Sequence, residues 1–115
     1  MDIVMKTNKT LIISEPTNFY HGEKNCDKIR FLIPQTYEDI DLSECNVYLI
    51  YQSVNGSVAI TQLEYESELY EDQLLQAIYV VNNDFTAYSG TINAHLRFEK
   101  DDVTLKSGKI AIAID

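Results

Sequence analysis

The chain has 115 residues, the size of one domain with its own hydrophobic core, and we treat residues 1–115 as a single unit. Its 18 acidic and 9 basic side chains give a formal net charge of −9, which disfavours binding to nucleic-acid phosphates or to anionic lipid. The sequence has no signal-peptide pattern and no apolar run of about 20 residues, so neither secretion nor a membrane helix is predicted.

The first third of the chain alternates between strand-forming and turn-forming stretches. Residues 1–9 are mixed and weakly patterned, whereas residues 10–14 (TLIIS) are apolar and β-branched, which predicts a strand. Residues 15–27 are rich in Pro, Gly, Asn and Asp and are predicted to form a loop. Lys28–Pro34 is the next predicted strand, and it ends at Pro34 because proline lacks the donor that a ladder needs.

The middle of the chain contains the clearest hairpin signal. Residues 46–53 (NVYLIYQS) are apolar on both faces, which is typical of a central strand. Asn55-Gly56 follows and predicts a type I′ turn, in which both central residues have positive φ, leading into a strand over residues 57–64. Before this hairpin, Asp41 begins a D-L-S sequence that predicts a turn or a helical cap.

The last third of the chain is predicted to hold a strand over residues 74–81 and a terminal antiparallel pair. Residues 82–90 between them are predicted to form a loop, with one helical turn capped by Asp84 as the alternative. No long segment has the helical period. The sequence therefore predicts an all-β fold, an immunoglobulin-like antiparallel β-sandwich of about seven short strands. The inward side chains predicted for the first strand of the terminal pair are Ile92, Ala94, Leu96 and Phe98.

No residue cluster indicates catalysis, a cofactor or a metal. Cys26 and Cys45 are predicted to be free thiols, buried or half-buried, and a dyad of Cys26 with His95 has no supporting motif. The acids of residues 64–72 could bind a cation such as Ca²⁺, but they lack the spacing of a calcium loop. We favour a solvated strand edge whose charges discourage pairing with other edges. The protein is predicted not to be an enzyme.

Aromatic side chains supply the candidate contact surface, because tyrosine packs through its ring while its hydroxyl stays in water. A second interpretation is a carbohydrate-binding module with an aromatic platform on residues 37–41 and 85–88. A third is an acidic inhibitor that mimics nucleic acid. The residues predicted for a protein-binding surface are Tyr37, Tyr65, Tyr70, Phe85 and Tyr88.

Five stretches of sequence also occur in a recognisable order. The stretches are residues 28–43 (KIRFLIPQTYEDIDLS), 47–51 (VYLIY), 68–75 (ELYEDQLL), 85–98 (FTAYSGTINAHLRF) and 105–114 (LKSGKIAIAI). Together they resemble the N-terminal domain of baseplate upper proteins, which are structural proteins of bacteriophage tails and baseplates, over residues 10–115.

This resemblance implies a function in assembly. The chain would be a non-enzymatic, immunoglobulin-like adaptor that seats receptor-binding components on the virion, without a cofactor. It would act as a homo-oligomer in contact with other virion or baseplate proteins, after assembly in the cytoplasm of the bacterial host. Because the sequence ends at the last strand, we expect a free-standing subunit or one whose receptor-binding part lies on another chain.

Overall fold

A computed structural model describes residues 1–115. Regular structure is almost entirely β, with a single 3₁₀ turn at Leu42–Glu44. No helix in the structure has the length and apolarity needed to span a bilayer. The strands are β1 (Asp2–Met5), β2 (Leu11–Glu15), β3 (Lys28–Pro34), β4 (Thr36–Tyr37), β5 (Ile40–Asp41), β6 (Asn46–Gln52), β7 (Val58–Tyr65), β8 (Leu74–Val80), β9 (Gly90–Lys100), β10 (Val103–Lys106) and β11 (Ile110–Ile114).

Nine of the strands form one sheet that folds over on itself into two layers, and β4 and β5 form a separate two-stranded sheet. The first layer has the order β2-β1-β3-β8. The second has the order β7-β6-β9, with β10 and β11 both paired to the far edge of β9. β7 joins the layers, because residues 58–63 pair with β6 while Glu64 and Tyr65 pair with β8. The all-β sandwich predicted from the sequence is confirmed.

Strand β9 is the centre of the second layer and has 11 residues. Its first half pairs with β11 and its second half with β10, while β6 pairs with residues 93–99 on the opposite edge. Strict alternation of apolar and polar residues sends one set of side chains into the interior. As predicted, the inward residues are fully buried, and they are Ile92, Ala94, Leu96 and Phe98.

The structure has eleven strands where the sequence predicted an antiparallel sandwich of about seven, and its first layer includes one parallel pair. Residues 1–9, taken as weakly patterned, contain β1, which pairs with β3 in parallel and with β2 in an antiparallel hairpin. Alternation in β1 buries Ile3 and Met5. Asp2 ties the parallel pair together, because its carboxylate accepts two bonds from the Arg30 guanidinium, at 3.1 Å from Nε and 2.6 Å from Nη2.

The hairpin between β6 and β7 forms where it was predicted, but its turn is of another type. Gly56 has φ of +92°, whereas Asn55 is not among the residues with positive φ, so the turn is not type I′. The Gly56 N–H donates to the Ser53 carbonyl, and the Ser57 N–H donates to Asn55 Oδ1 at 3.1 Å. The Asn55 side chain therefore stabilises a longer loop, in which only the glycine needs the left-handed region.

Two predicted caps have different outcomes. Asp41 caps the 3₁₀ turn, since its Oδ1 accepts from the Ser43 N–H at 3.0 Å, as predicted. In the 82–90 loop there is no helix for Asp84 to cap. The side chain of Asn82 instead accepts from the Phe85 N–H at 3.1 Å, and it closes a turn.

Candidate interaction surfaces

Two of the aromatic residues predicted to form a contact surface are half-buried supports of the core edge. The Tyr65 hydroxyl donates to the Leu42 carbonyl at 2.9 Å, and burial raises the pKa of Tyr65 well above its ordinary value. Tyr37 packs against the core and receives the Lys9 ammonium 5.2 Å from its ring centroid. Both rings are engaged within the chain, which leaves little of them for a partner.

The other two tyrosines of the predicted set differ in exposure. Tyr70 is half-buried beneath Arg30, whose guanidinium carbon lies 4.7 Å from the ring centroid. Tyr88 is 53% exposed and borders a depression of about 330 Å³ that also has Asp84 and Asn55 in its wall. Of the predicted set, Tyr88 is therefore the most accessible ring.

Phe85 was predicted on the surface and is instead in the core, with 1% of its area exposed. Its ring contacts Tyr51, Tyr79 and Phe19 at centroid distances of 5.1, 5.6 and 6.0 Å. The loop places this residue inward because a phenylalanine buried among aromatic rings gains both apolar burial and edge-to-face contacts. The proposed sugar platform on residues 85–88 loses one of its two rings by this placement.

The outer face of the second layer combines apolar and basic side chains. Directly opposed residues on β7, β6 and β9 form three cross-strand rows. At the far edge, Lys106 stands opposite Arg97, and Lys109 borders a shallow depression together with His95. We call this surface the basic face. It consists of Lys106, Lys109 and the rows Val58–Gln52–Asn93, Ile60–Ile50–His95 and Gln62–Tyr48–Arg97.

The apolar part of the basic face is unusually exposed. Val58 is 65% exposed and Ile60 is 57% exposed, and they point outward from the same strand two residues apart. Ile50 is half-buried beside them. Neighbouring apolar side chains that remain in water on the outside of a sheet are typical of a contact surface.

The charge of the basic face is opposite to that of the whole chain. None of its residues is Asp or Glu, although Glu99 of β9 borders it beside Arg97, and neither Lys106 nor Lys109 takes part in an ion pair. Arg97 is partly compensated, because its Nε lies 2.9 Å from Glu99 Oε1, a contact with the distance of an ion pair but not the angle of a hydrogen bond. The pKa of His95 is lowered by partial burial and by the nearby cations, which favours its neutral form.

Residues 64–72, which comprise the end of β7 and most of the connection to β8, form the strongest acidic feature, and we call them the acidic segment. Each of its five carboxylates is exposed, and Leu69 among them is 37% exposed. Glu71 and Asp72 have positive φ values of 50° and 58°, so the chain turns sharply there. The carboxylates of the acidic segment are Glu64, Glu66, Glu68, Glu71 and Asp72.

The one group of three potential metal ligands lies elsewhere. Donor atoms of Glu23, Cys26 and Asp27 all lie within 4.8 Å of one another. The Cys26 thiol is 3.7 Å from each carboxylate, and desolvation together with these charges raises its pKa, which makes it a poor nucleophile. Cys26 is exposed, so the prediction of a buried or half-buried thiol was wrong for it, whereas Cys45 is buried and free as predicted.

Sequence reasoning missed the basic face. The sequence placed Val58, Ile60 and His95 in strands. The pattern within one strand, however, does not show which residues of a neighbouring strand lie beside it. The signal present was the stretch Val58-Ala59-Ile60, where apolar residues occur on both faces of a strand. Together with the basic residues after position 95, this stretch could have indicated a mixed surface.

Comparison with known proteins identifies relatives of this architecture. The family model described as the BppU N-terminal domain matches residues 1–115. A solved structure, the N-terminal domain of phage TP901-1 ORF48, is 10% identical in sequence with a TM-score of 0.55. The match covers 99% of this chain and 96% of that one, and at such low identity it supports the fold alone. No curated protein matches the sequence.

Proposed function

The chain belongs to the BppU N-terminal domain family, the N-terminal domain of phage baseplate upper proteins, and we propose that it is an adaptor that seats receptor-binding components on the baseplate. The resemblance found in the sequence is confirmed, and with it a structural role in a phage baseplate. The observation that carries the proposal is the family match along all 115 residues.

The fold supports an adaptor that works through contact. Its core is closed by aliphatic and aromatic side chains, and its largest surface depression, of about 330 Å³, is open to solvent. A rigid sandwich holds surface side chains in fixed relative positions, which is what a docking module requires. We further propose that the domain is non-enzymatic, that it acts as a homo-oligomer bound to other virion proteins, and that it is incorporated in the bacterial cytoplasm.

The adaptor role is tested in particles of the phage that encodes the chain. Particles assembled without it should retain their tails but lose the receptor-binding protein, measured by mass spectrometry of purified virions, and should adsorb poorly to the host. Supplying the chain in trans should restore both. Receptor-binding protein present at its normal copy number in particles that lack the chain would refute the adaptor role.

A further inference from the structure

We propose that the basic face of one copy of this chain binds the acidic segment of a second copy, so that copies associate head to tail. The proposal rests on the proposed function in naming a homo-oligomer, and it adds the two surfaces that meet. Each surface consists of exposed and half-buried residues, and the two surfaces carry opposite charge.

Charge complementarity is the first argument. The basic face has two lysines without an ion pair and no carboxylate, in a chain whose net charge is −9. The acidic segment has five exposed carboxylates and no Lys or Arg. Opposite potentials on two surfaces steer their association and fix its register. The exposed Leu69 also gives the acidic segment an apolar side chain that can cover Val58 and Ile60.

The contact must be between copies, because the chain cannot make it internally. Ile60 and Glu66 are six residues apart along extended backbone, a separation of about 20 Å. Pairing of β7 with β6 and then with β8 keeps this strand extended throughout. The acidic segment therefore cannot fold back onto the basic face of its own copy.

A symmetric pairing of two basic faces is disfavoured. Two-fold contact would set the basic face of one copy against the basic face of the other, so net positive charge would meet net positive charge across the interface, and like charges oppose binding. Head-to-tail contact brings unlike charges together instead. Because such a contact uses two different patches, it either closes into a ring or continues into a chain of copies.

The expected affinity is low. The basic face is four strands wide and three cross-strand rows long, so its outermost Cα atoms span roughly 15 Å by 15 Å. This area is smaller than that of a standard stable interface. We therefore expect a dissociation constant on the order of 100 μM, which matters where copies are held at high local concentration. Binding should weaken in high salt, because exposed charges are screened.

The test uses sedimentation equilibrium with two variants of the whole chain. Lys106→Ser/Lys109→Ser removes the two lysines of the basic face that have no ion pair and leaves Arg97, and Glu66→Ser/Glu68→Ser removes two of the five carboxylates of the acidic segment. The apparent mass of the wild-type protein should increase with concentration above the monomer mass of 13.2 kDa, whereas each variant alone should keep the monomer mass. An equimolar mixture should form a 1:1 dimer and stop there, because only one intact pair of surfaces remains.

The matched control is Lys6→Ser/Lys24→Ser, which makes the same change in net charge at two exposed loop positions outside both surfaces. This variant should associate like wild type. A wild-type chain that stays monomeric overturns the proposal, as do equal losses in the control or a mixture that remains monomeric. A monomeric chain that is still incorporated into virions would overturn the head-to-tail contact and the homo-oligomer, whereas the adaptor role depends on the particle composition described above.

Discussion

Replacing Phe85 with alanine should destabilise the fold strongly, although the residue lies in a loop. Its ring is 1% exposed and contacts three other aromatic rings at centroid distances of 5.1, 5.6 and 6.0 Å. Truncation of a buried phenylalanine costs about 3–5 kcal/mol of unfolding free energy, because apolar area is lost and a cavity remains. The aromatic pairs place this site in the upper part of that range, about 4–5 kcal/mol.

Urea denaturation followed by far-ultraviolet circular dichroism measures this loss. A domain of this size has a total stability of roughly 5–15 kcal/mol, so Phe85→Ala should be close to unfolding. In thermal melts the same loss corresponds to a decrease of about 15–20 °C in the midpoint. The slope of the free energy against urea should stay unchanged if the variant loses stability without changing the surface exposed on unfolding.

The matched control is Tyr88→Ala, three positions along the same loop. Because Tyr88 is 53% exposed, its truncation should change the unfolding free energy by no more than about 0.5 kcal/mol. The sequence had predicted both rings on one contact surface, and the two variants separate that view from the structure. Similar small losses at both positions would show that Phe85 is not a core residue.

Three further predictions concern a buried hydroxyl, a strained glycine and a histidine. Thr86→Val should cost about 1–3 kcal/mol in urea denaturation, because the fully buried hydroxyl donates to the Glu23 carbonyl, which would lose its partner. Gly90→Ala should lower the unfolding free energy by at least about 1 kcal/mol, because the φ of Gly90 is +141° and the new Cβ would lie 2.8 Å from Val54 Cγ1. Truncating Val54 to alanine as well should relieve the clash but not the strain of the positive φ. The pKa of His95 is lowered in the folded chain, so stability should fall as pH decreases below the ordinary value of about 6.5, and His95→Gln should flatten this part of the pH profile.

Sequence patterns predicted the strands best where alternation is strict and long. β9 was recognised because four apolar residues alternate with polar ones over its length, and burial of one face leaves a single possible register. β1 has only four residues, too few for a period of two to stand out, and its place beside β3 depends on pairing between distant segments. The turn at Asn55 was misjudged because an Asn-Gly pair serves in more than one hairpin loop.

Burial of side chains in loops was harder to predict than burial in strands. Phe85 and Tyr88 lie in the same irregular stretch, and no periodicity there separates inward from outward positions. What decides the matter is the aromatic cluster formed with residues of other strands, which the sequence alone does not bring together. For the same reason Cys26 and Cys45, similar in chemistry, differ in exposure.

Strand β7 shows why the basic face is better explained by contact than by the stability of an isolated domain. Its half-buried inward positions include the small Ala59 and Thr61, whereas the larger apolar residues Val58 and Ile60 point into water. Selection for the stability of a lone sandwich would favour the reverse arrangement, because full burial of a valine or isoleucine side chain contributes about 1.5–3 kcal/mol. Local choices that oppose the stability of the fold are expected at functional sites. If Val58 and Ile60 are retained for contact, replacing both with threonine should leave the unfolding free energy nearly unchanged but weaken the association between copies.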